Sequence, residues 1–286
     1  MIPGGLRLTT NGITLAAIQA GPRDGPPVLL LHGFPEFSWG WRRQIGPLAE
    51  AGFHVVAPDQ RGYNLSDRPP GVGSYDLDTL AADVIGLADA LGAPQVSLVG
   101  HDWGGLVAWW TASRHPERIA RLAILNAPHP AVAGRYLRRH PGQMLRSSYI
   151  GLFQLPGLPE RLLAADGHAR LRRALTRTSR PGTFSPEDLE RYVEAWSRPG
   201  ALTAMLNWYR ALRLKPELAD PRVLPPALVI WGLRDRFLQL GLAEASLALC
   251  RDGRLVVLDE ATHWLHLEEP QRVNAELVSF LKPREA

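Results

Sequence analysis

A carboxylate sits among glycines at Val99-Gly100-His101-Asp102-Trp103-Gly104-Gly105, which follows the apolar run 95–99 and opens an apolar helical stretch. A strand that turns at once into a helix strains its apex residue and crowds the neighbours, which is what Gly100, Gly104 and Gly105 would relieve. The commoner form of such an elbow, Gly-x-Ser-x-Gly, presents a hydroxyl that needs a base. An aspartate with a reference pKa of roughly 3.9 is about 99.9% ionised at pH 7 and needs none. The competing reading of Asp102 as a plain helix cap explains the acid but not three glycines.

A carboxylate that attacks carbon leaves an ester. The site must then also hold a base to activate water, a group to orient that base, and donors for an oxyanion. His263, in Ala261-Thr262-His263-Trp264, lies just after the last apolar run and suits the base. His266, three residues on and in or beside the next helix, is its rival, with a surface histidine as the plainer reading. Asp235 follows the run 227–231 through Gly232-Leu233-Arg234 and can take the other imidazole N–H. On position alone, a surface pairing of Asp235 with Arg234 or Arg236 competes evenly. The oxyanion donors would be the N–H of Trp103, next after the nucleophile, and that of Phe34 in His32-Gly33-Phe34-Pro35, because Pro35 has none. Asp59-Gln60-Arg61-Gly62 reads as a structural turn bracing the same edge.

These residues need a scaffold that brings loop ends together. Residues 6–10 and 13–19 are β-prone and flank Asn11-Gly12, the signature of a tight hairpin. The runs 27–31, 54–57, 95–99, 122–125, 227–231 and 255–258 are continuous and too short for helices, so each reads as a strand buried on both faces. Helical stretches at 39–51, 79–91, 106–115, 240–250 and 270–281 alternate with them. That alternation predicts an α/β fold with a mainly parallel, doubly covered sheet, whose loops gather at the strands' C-terminal edge. It breaks between about 131 and 221, where the segments look helical and Ser185-Pro186-Glu187-Asp188 begins one helix well. An insertion there would lie over the site as a lid.

Composition narrows the class. Of 286 residues, 45% are hydrophobic and 21% charged, values of a globular chain long enough for a full core. No run of 18 apolar residues is present, and residues 1–5 offer no signal core, so a cytoplasmic protein without a membrane span is expected. The single cysteine, Cys250, excludes an internal disulfide and reads as a buried filler of the stretch 240–250. Residues 131–180 hold ten arginines, no lysine and two acids, a net of +8 within a chain of net +4. A solvated helical face, a pull on anionic substrates and an acidic partner surface would each account for this, and no nucleic-acid motif accompanies it.

Taken together, these residues resemble the α/β-hydrolase fold, and His32-Gly33-Phe34-Pro35 with Gly100-His101-Asp102-Trp103-Gly104-Gly105 resembles the epoxide hydrolases within it. The order nucleophile, acid, histidine is that of hydrolases of this fold. In epoxide hydrolases two lid tyrosines hold the epoxide oxygen. Ser148-Tyr149-Ile150-Gly151-Leu152-Phe153-Gln154-Leu155-Pro156 and Leu206-Asn207-Trp208-Tyr209-Arg210 are similar to the segments that carry them, which implies Tyr149 and Tyr209. The resemblance spans about residues 6–281, with no motif mapped between 158 and 183. It implies a hydrolase core of residues 1–130 and 222–286 and an inserted helical cap of residues 131–221.

The implied reaction adds water to a small epoxide through an alkyl ester on Asp102 and releases a vicinal diol. His263 serves as base, Asp235 orients it, and Phe34 and Trp103 also line the substrate. No metal or organic cofactor is expected, no nucleic acid, and either a monomer or a homodimer. A haloalkane-type dehalogenase would use the same Asp, His and acid. Those enzymes, however, commonly take a second halide donor from Asn where this chain has Phe34, or from a lid Trp, and the fluoroacetate type places Arg where it has Trp103. A non-catalytic ligand-binding protein on the same fold is the third reading, opposed by the intact Asp102, Asp235 and His263.

Overall fold

The computed structural model describes residues 5–214 and 217–282; residues 1–4, read above as lacking a signal core, fall outside it. Eight strands form one sheet: β1 (Gly5–Thr10), β2 (Ile13–Ala20), β3 (Pro27–Leu31), β4 (His54–Pro58), β5 (Val96–His101), β6 (Ile119–Leu125), β7 (Ala227–Gly232) and β8 (Gly253–Leu258). Their order is β1-β2-β4-β3-β5-β6-β7-β8. The β1–β2 and β2–β4 pairs are antiparallel and every later pair is parallel. Asn11 and Gly12 take φ of 44° and 74°, as the tight turn between β1 and β2 requires.

Helices α1 (Ile45–Glu50), α2 (Leu77–Ala90) and α3 (Trp103–Arg114) follow β3, β4 and β5. Between β6 and β7 run α4 (Pro130–Arg139), α5 (Pro141–Arg146), α6 (Tyr149–Phe153), α7 (Leu158–Thr178), α8 (Pro186–Trp196) and α9 (Ala201–Ala211), with no strand of the sheet among them. The chain closes with α10 (Gly241–Leu247), α11 (Leu265–Glu268) and α12 (Pro270–Leu281). Side chains alternate across the sheet. Val28 and Leu30 of β3 join the layer of α1 and α12, while Leu29 and Leu31 join that of α2, α3 and α10. Both faces are thus covered, and fully buried leucines and valines fill both layers.

Three expectations need correction. The stretch 39–51 is not one helix but a 3₁₀ turn, Ser38–Trp41, followed by α1. Pro47 has no N–H to give a helix and fits only near its start, so a helix must begin just before it. The run 255–258 is not buried on both faces, because β8 is the edge strand and Leu255, Val256 and Val257 are half-covered. An edge position cannot be read from apolarity alone. Finally, α10 ends at Leu247. Cys250 lies beyond it, half-buried beside Val223, with burial pushing its thiol up to about 12.

Within α7 the helix is interrupted at residues 165–168, where Asp166, Gly167 and His168 take φ of 52°, 61° and 60°. This part of the insertion carried no motif, and it folds as two helical pieces joined by a left-handed step. The expected start of α8 is present in full: Ser185 accepts from the Asp188 N–H at 3.1 Å, and Asp188 accepts from the Ser185 N–H at 3.1 Å.

Candidate active site

The C-terminal ends of β3, β5, β6, β7 and β8 open on one edge of the sheet, and the chemistry-bearing loops converge there. Asp102 follows β5 directly with φ 50° and ψ −119°, a strained conformation for a residue with a Cβ. The crowding is visible in what a side chain would meet: a Cβ on Gly104 would lie 2.0 Å from the Leu31 carbonyl oxygen, and one on Gly105 would lie 2.4 Å from Ala127 Cβ. Asp102 makes no side-chain capping bond to α3. Its Oδ1 instead accepts the Phe34 N–H at 2.8 Å, and its Oδ2 faces His263 Nε2 at 3.5 Å. The carboxylate is not thrown clear of the protein, since only 16% of its side chain is exposed. Burial works to raise its pKa, but the hydrogen bond and charge of His263 outweigh that and hold it below the usual aspartate value.

His263 donates through Nδ1 to Asp235 Oδ2 at 2.7 Å. Asp235 is 4% exposed, so the surface pairing fails; Arg234 pairs with Glu260 instead. Every lone pair of Asp235 has work: Oδ1 accepts the Phe237 and Leu238 N–H groups at 2.6 and 3.0 Å, and Oδ2 also accepts Asn126 Nδ2 at 2.5 Å. Asn126, just after β6, in turn accepts the Gly232 N–H at 2.7 Å and so ties two strand ends to the acid. Burial opposes charge on His263, yet the flanking Asp235 and Asp102 carboxylates push its pKa up to about 10. In the resting site this imidazole is a cation between two anions.

Tyr149 opens α6 and Tyr209 lies on α9, with ring centroids 6.1 Å apart. The Tyr209 ring stands edge-on to Phe34 at 5.2 Å and to Trp103 at 4.9 Å, against the two residues expected to supply oxyanion donors. Trp103 is the first residue of α3, where an N–H has no intrahelical acceptor. Burial, followed by the nearby charge of Asp102, raises the Tyr149 phenol above its ordinary value, and burial does the same for Tyr209. Both therefore remain protonated donors at neutral pH. Phe153 and Phe237 complete the aromatic wall, Phe153 5.0 Å from Tyr209 and Phe237 5.1 Å from His263. Neither was singled out from sequence, although Phe153 lies within the segment that yielded Tyr149.

The two tyrosine helices are bound to each other. Arg210, buried beside Tyr209, reaches the carbonyls of Phe153 at 3.1 Å and Leu155 at 2.7 Å and holds both oxygens of Glu160 at 2.7 and 3.0 Å. Gln154 donates to the Tyr209 carbonyl at 3.0 Å. Trp208 donates to the Arg61 carbonyl at 3.1 Å and anchors α9 to the core. In Asp59-Gln60-Arg61-Gly62, Gln60 donates to the His32 carbonyl just after β3 at 2.6 Å, and Arg61 donates to both oxygens of Asp83 on α2 at 2.7 and 2.6 Å.

His266 is not a surface residue. It is 1% exposed and its Nε2 lies 3.3 Å from Glu36 Oε2, not beside Asp102. Burial and the neighbouring His101 outweigh Glu36 and push its pKa down to about 4, so it is neutral at pH 7. His101 donates from Nε2 to the His263 carbonyl at 2.8 Å and turns Nδ1 toward Glu36 Oε2 at 3.4 Å. Tyr192 donates to the other Glu36 oxygen at 2.7 Å. Among the described residues, Glu36, His101 and His266 are the one group whose ligand-type atoms, within 4.8 Å of one another, could hold a cation. The group forms a polar floor under His263, with its His101 ring 4.7 Å from that of His263.

This sheet, its elbow and its covering helices define an α/β hydrolase. The family model described as the alpha/beta hydrolase fold matches residues 26–270, and the chain belongs to that family. It is 50% identical over 277 residues to the AB hydrolase superfamily protein YfhM of Bacillus subtilis, covering 96% of each chain. It is 40% identical over 283 residues to epoxide hydrolase 4 of Mus musculus, covering 97% of this chain and 79% of that protein. The structure of the Bacillus megaterium epoxide hydrolase in complex with an inhibitor superposes with a TM-score of 0.89 at 32% identity, covering 96% of this chain and 99% of that one. Within the α/β hydrolases, the chain belongs to the epoxide hydrolases.

Proposed function

We propose that this chain hydrolyses epoxides to vicinal diols by way of an ester on Asp102. The observation that carries the reading is the unequal treatment of the two Asp102 oxygens: Oδ1 is held by the Phe34 N–H and Oδ2 faces the His263 imidazolium. Oδ2 is the attacking atom and opens the epoxide at one carbon. Tyr149 and Tyr209 donate to the departing oxygen, and one of them protonates it, a contribution of ~10²–10⁴ in rate. Oδ1 becomes the ester carbonyl oxygen, already seated where Phe34 and Trp103 N–H groups stabilise the later oxyanion, each donor worth ~10²–10³.

Proton and charge balance closes the cycle. Esterification removes the Asp102 charge that helps keep His263 protonated, so its pKa falls and its proton passes to the tyrosinate. Neutral His263, steadied by Asp235, then takes a proton from water, whose oxygen attacks the ester carbonyl carbon. Collapse releases the diol and restores Asp102 as anion and His263 as cation. In this reading residues 1–130 and 222–286 are the hydrolase core and residues 131–221 the cap that supplies the tyrosines. Substrate is a small epoxide with water, and the protein works in the cytoplasm; no described helix is long and apolar enough to cross a membrane.

A His263→Gln variant given styrene oxide should form the ester and stall, seen as a mass increase on the peptide containing Asp102. Unchanged protein mass together with wild-type diol production would overturn the covalent scheme. Wild-type enzyme should yield diol and release no halide from a haloalkane panel. Halide without diol would make it a dehalogenase, and neither product a binding protein.

A further inference from the structure

Of the ten exposed large apolar side chains among the described residues, seven lie between residues 144 and 214, in the helical segment between β6 and β7. Met144 and Leu145 on α5 are 57% and 76% exposed, Leu152 and Leu155 on and after α6 are 38% and 46%, and Leu158 at the start of α7 is 37%. The Arg210 and Gln154 bonds that bind α6 to α9 also place this row beside the end of α9, from which Leu212 and Leu214 project at 36% and 47% exposure. Scattered single leucines need no explanation, but five exposed apolar side chains within residues 144–158 mark a segment that meets something.

The charge around the row says what. Arg135, Arg138 and Arg139 stand exposed on α4 immediately before it and Arg161 follows Leu158 on α7; none of these four makes an ion pair among the described residues, whereas Arg146 at the end of α5 donates to the Asp235 carbonyl at 2.7 Å. The one acid between residues 130 and 165 is Glu160, and Arg210 already holds it at 2.7 Å. Apolar side chains rimmed by unpaired arginines have the composition of an interfacial membrane face. A second copy of the chain fits poorly, because a two-fold pairing of this patch would set the arginines against themselves.

We propose that the outer face of α4–α6, with the residues after α9, docks onto a bilayer containing anionic phospholipid. The row then enters the headgroup region and the arginines pair with phosphates. Docking there would set the helix that carries Tyr149 against the phase into which apolar epoxides partition, although the exposed apolar side chains and their arginines would bind such a bilayer whatever the substrate.

The test is flotation of the full chain with phosphatidylcholine vesicles, with or without phosphatidylglycerol. The three exposed arginines of α4 alone predict on the order of 100-fold stronger association with the anionic vesicles, lost at high salt. Leu145→Glu and the pair Arg138→Glu/Arg139→Glu should each weaken flotation about tenfold or more while diol formation from a dissolved epoxide stays at the wild-type rate. Failure to float with anionic vesicles, or equal binding to both kinds, overturns the proposal. So does a concentration-dependent dimer abolished by Leu145→Glu, which would show that a second copy covers the face.

Discussion

At the residue scale the unusual partner is the base. A histidine with its pKa pushed up to about 10 is poorly suited to accept a proton, yet it is flanked by Asp102, the proposed nucleophile, whose charge helps put it there. In the proposed mechanism the first half-reaction removes that charge, so the reaction itself prepares its base. Attack requires only the Asp102 anion, held below its ordinary range, and its rate should be flat from mildly acid to neutral pH. Ester hydrolysis requires neutral His263 and should rise with pH to a plateau reached below pH 10. Single-turnover tryptophan fluorescence separates the two phases, and a hydrolysis rate independent of pH would contradict the coupling. For stability the sign is that of any histidine whose folded pKa is raised: the contribution of His263 is complete below its unbound value of 6.5 and is lost as pH climbs through about 10.

At the element scale the elbow is a steric contract between β3, β5 and α3. Gly104→Ala would drive a methyl to 2.0 Å from a backbone oxygen that cannot turn aside, and should cost at least the ~1–3 kcal/mol of core overpacking. Gly46→Ala, at an exposed position of α1 with nothing within 4 Å, should be neutral or stabilising by up to ~1 kcal/mol. Urea unfolding of the two variants measures the contrast.

Such local constraints are what a sequence displays well. The glycines around Asp102, the Asn11-Gly12 hairpin and the short apolar runs each fix one conformation through neighbours a few residues away. Pairings across the chain are not displayed. Asn126 reaches Asp235, His101 reaches the His263 carbonyl and His266 reaches Glu36, and nothing near any of them in sequence announces the partner. The same gap made His266 look like a surface residue and let the edge strand β8 pass for a buried one.

At the scale of the whole molecule, the proposed nucleophile and the proposed acids come from different parts of the chain. Core loops carry Asp102, Asp235 and His263, while the helices between β6 and β7 carry Tyr149 and Tyr209. Tyr149→Phe combined with Tyr209→Phe should therefore lower the rate of epoxide opening by ~10²-fold or more, with Asp102 and His263 unchanged. A double variant opening epoxide at near wild-type rate, followed by burst kinetics, would remove the tyrosines from the mechanism.

The Arg210 knot gives this division a further meaning. By gripping the carbonyls of Phe153 and Leu155 together with Glu160, Arg210 fixes the separation of the two phenols inside the insertion, whatever the insertion does relative to the sheet. On the proposed roles of Tyr149 and Tyr209, leaving-group preference is then a heritable module, carried on one continuous stretch of chain. A lineage could exchange that stretch and change the bond its enzyme breaks while keeping the nucleophile it breaks it with.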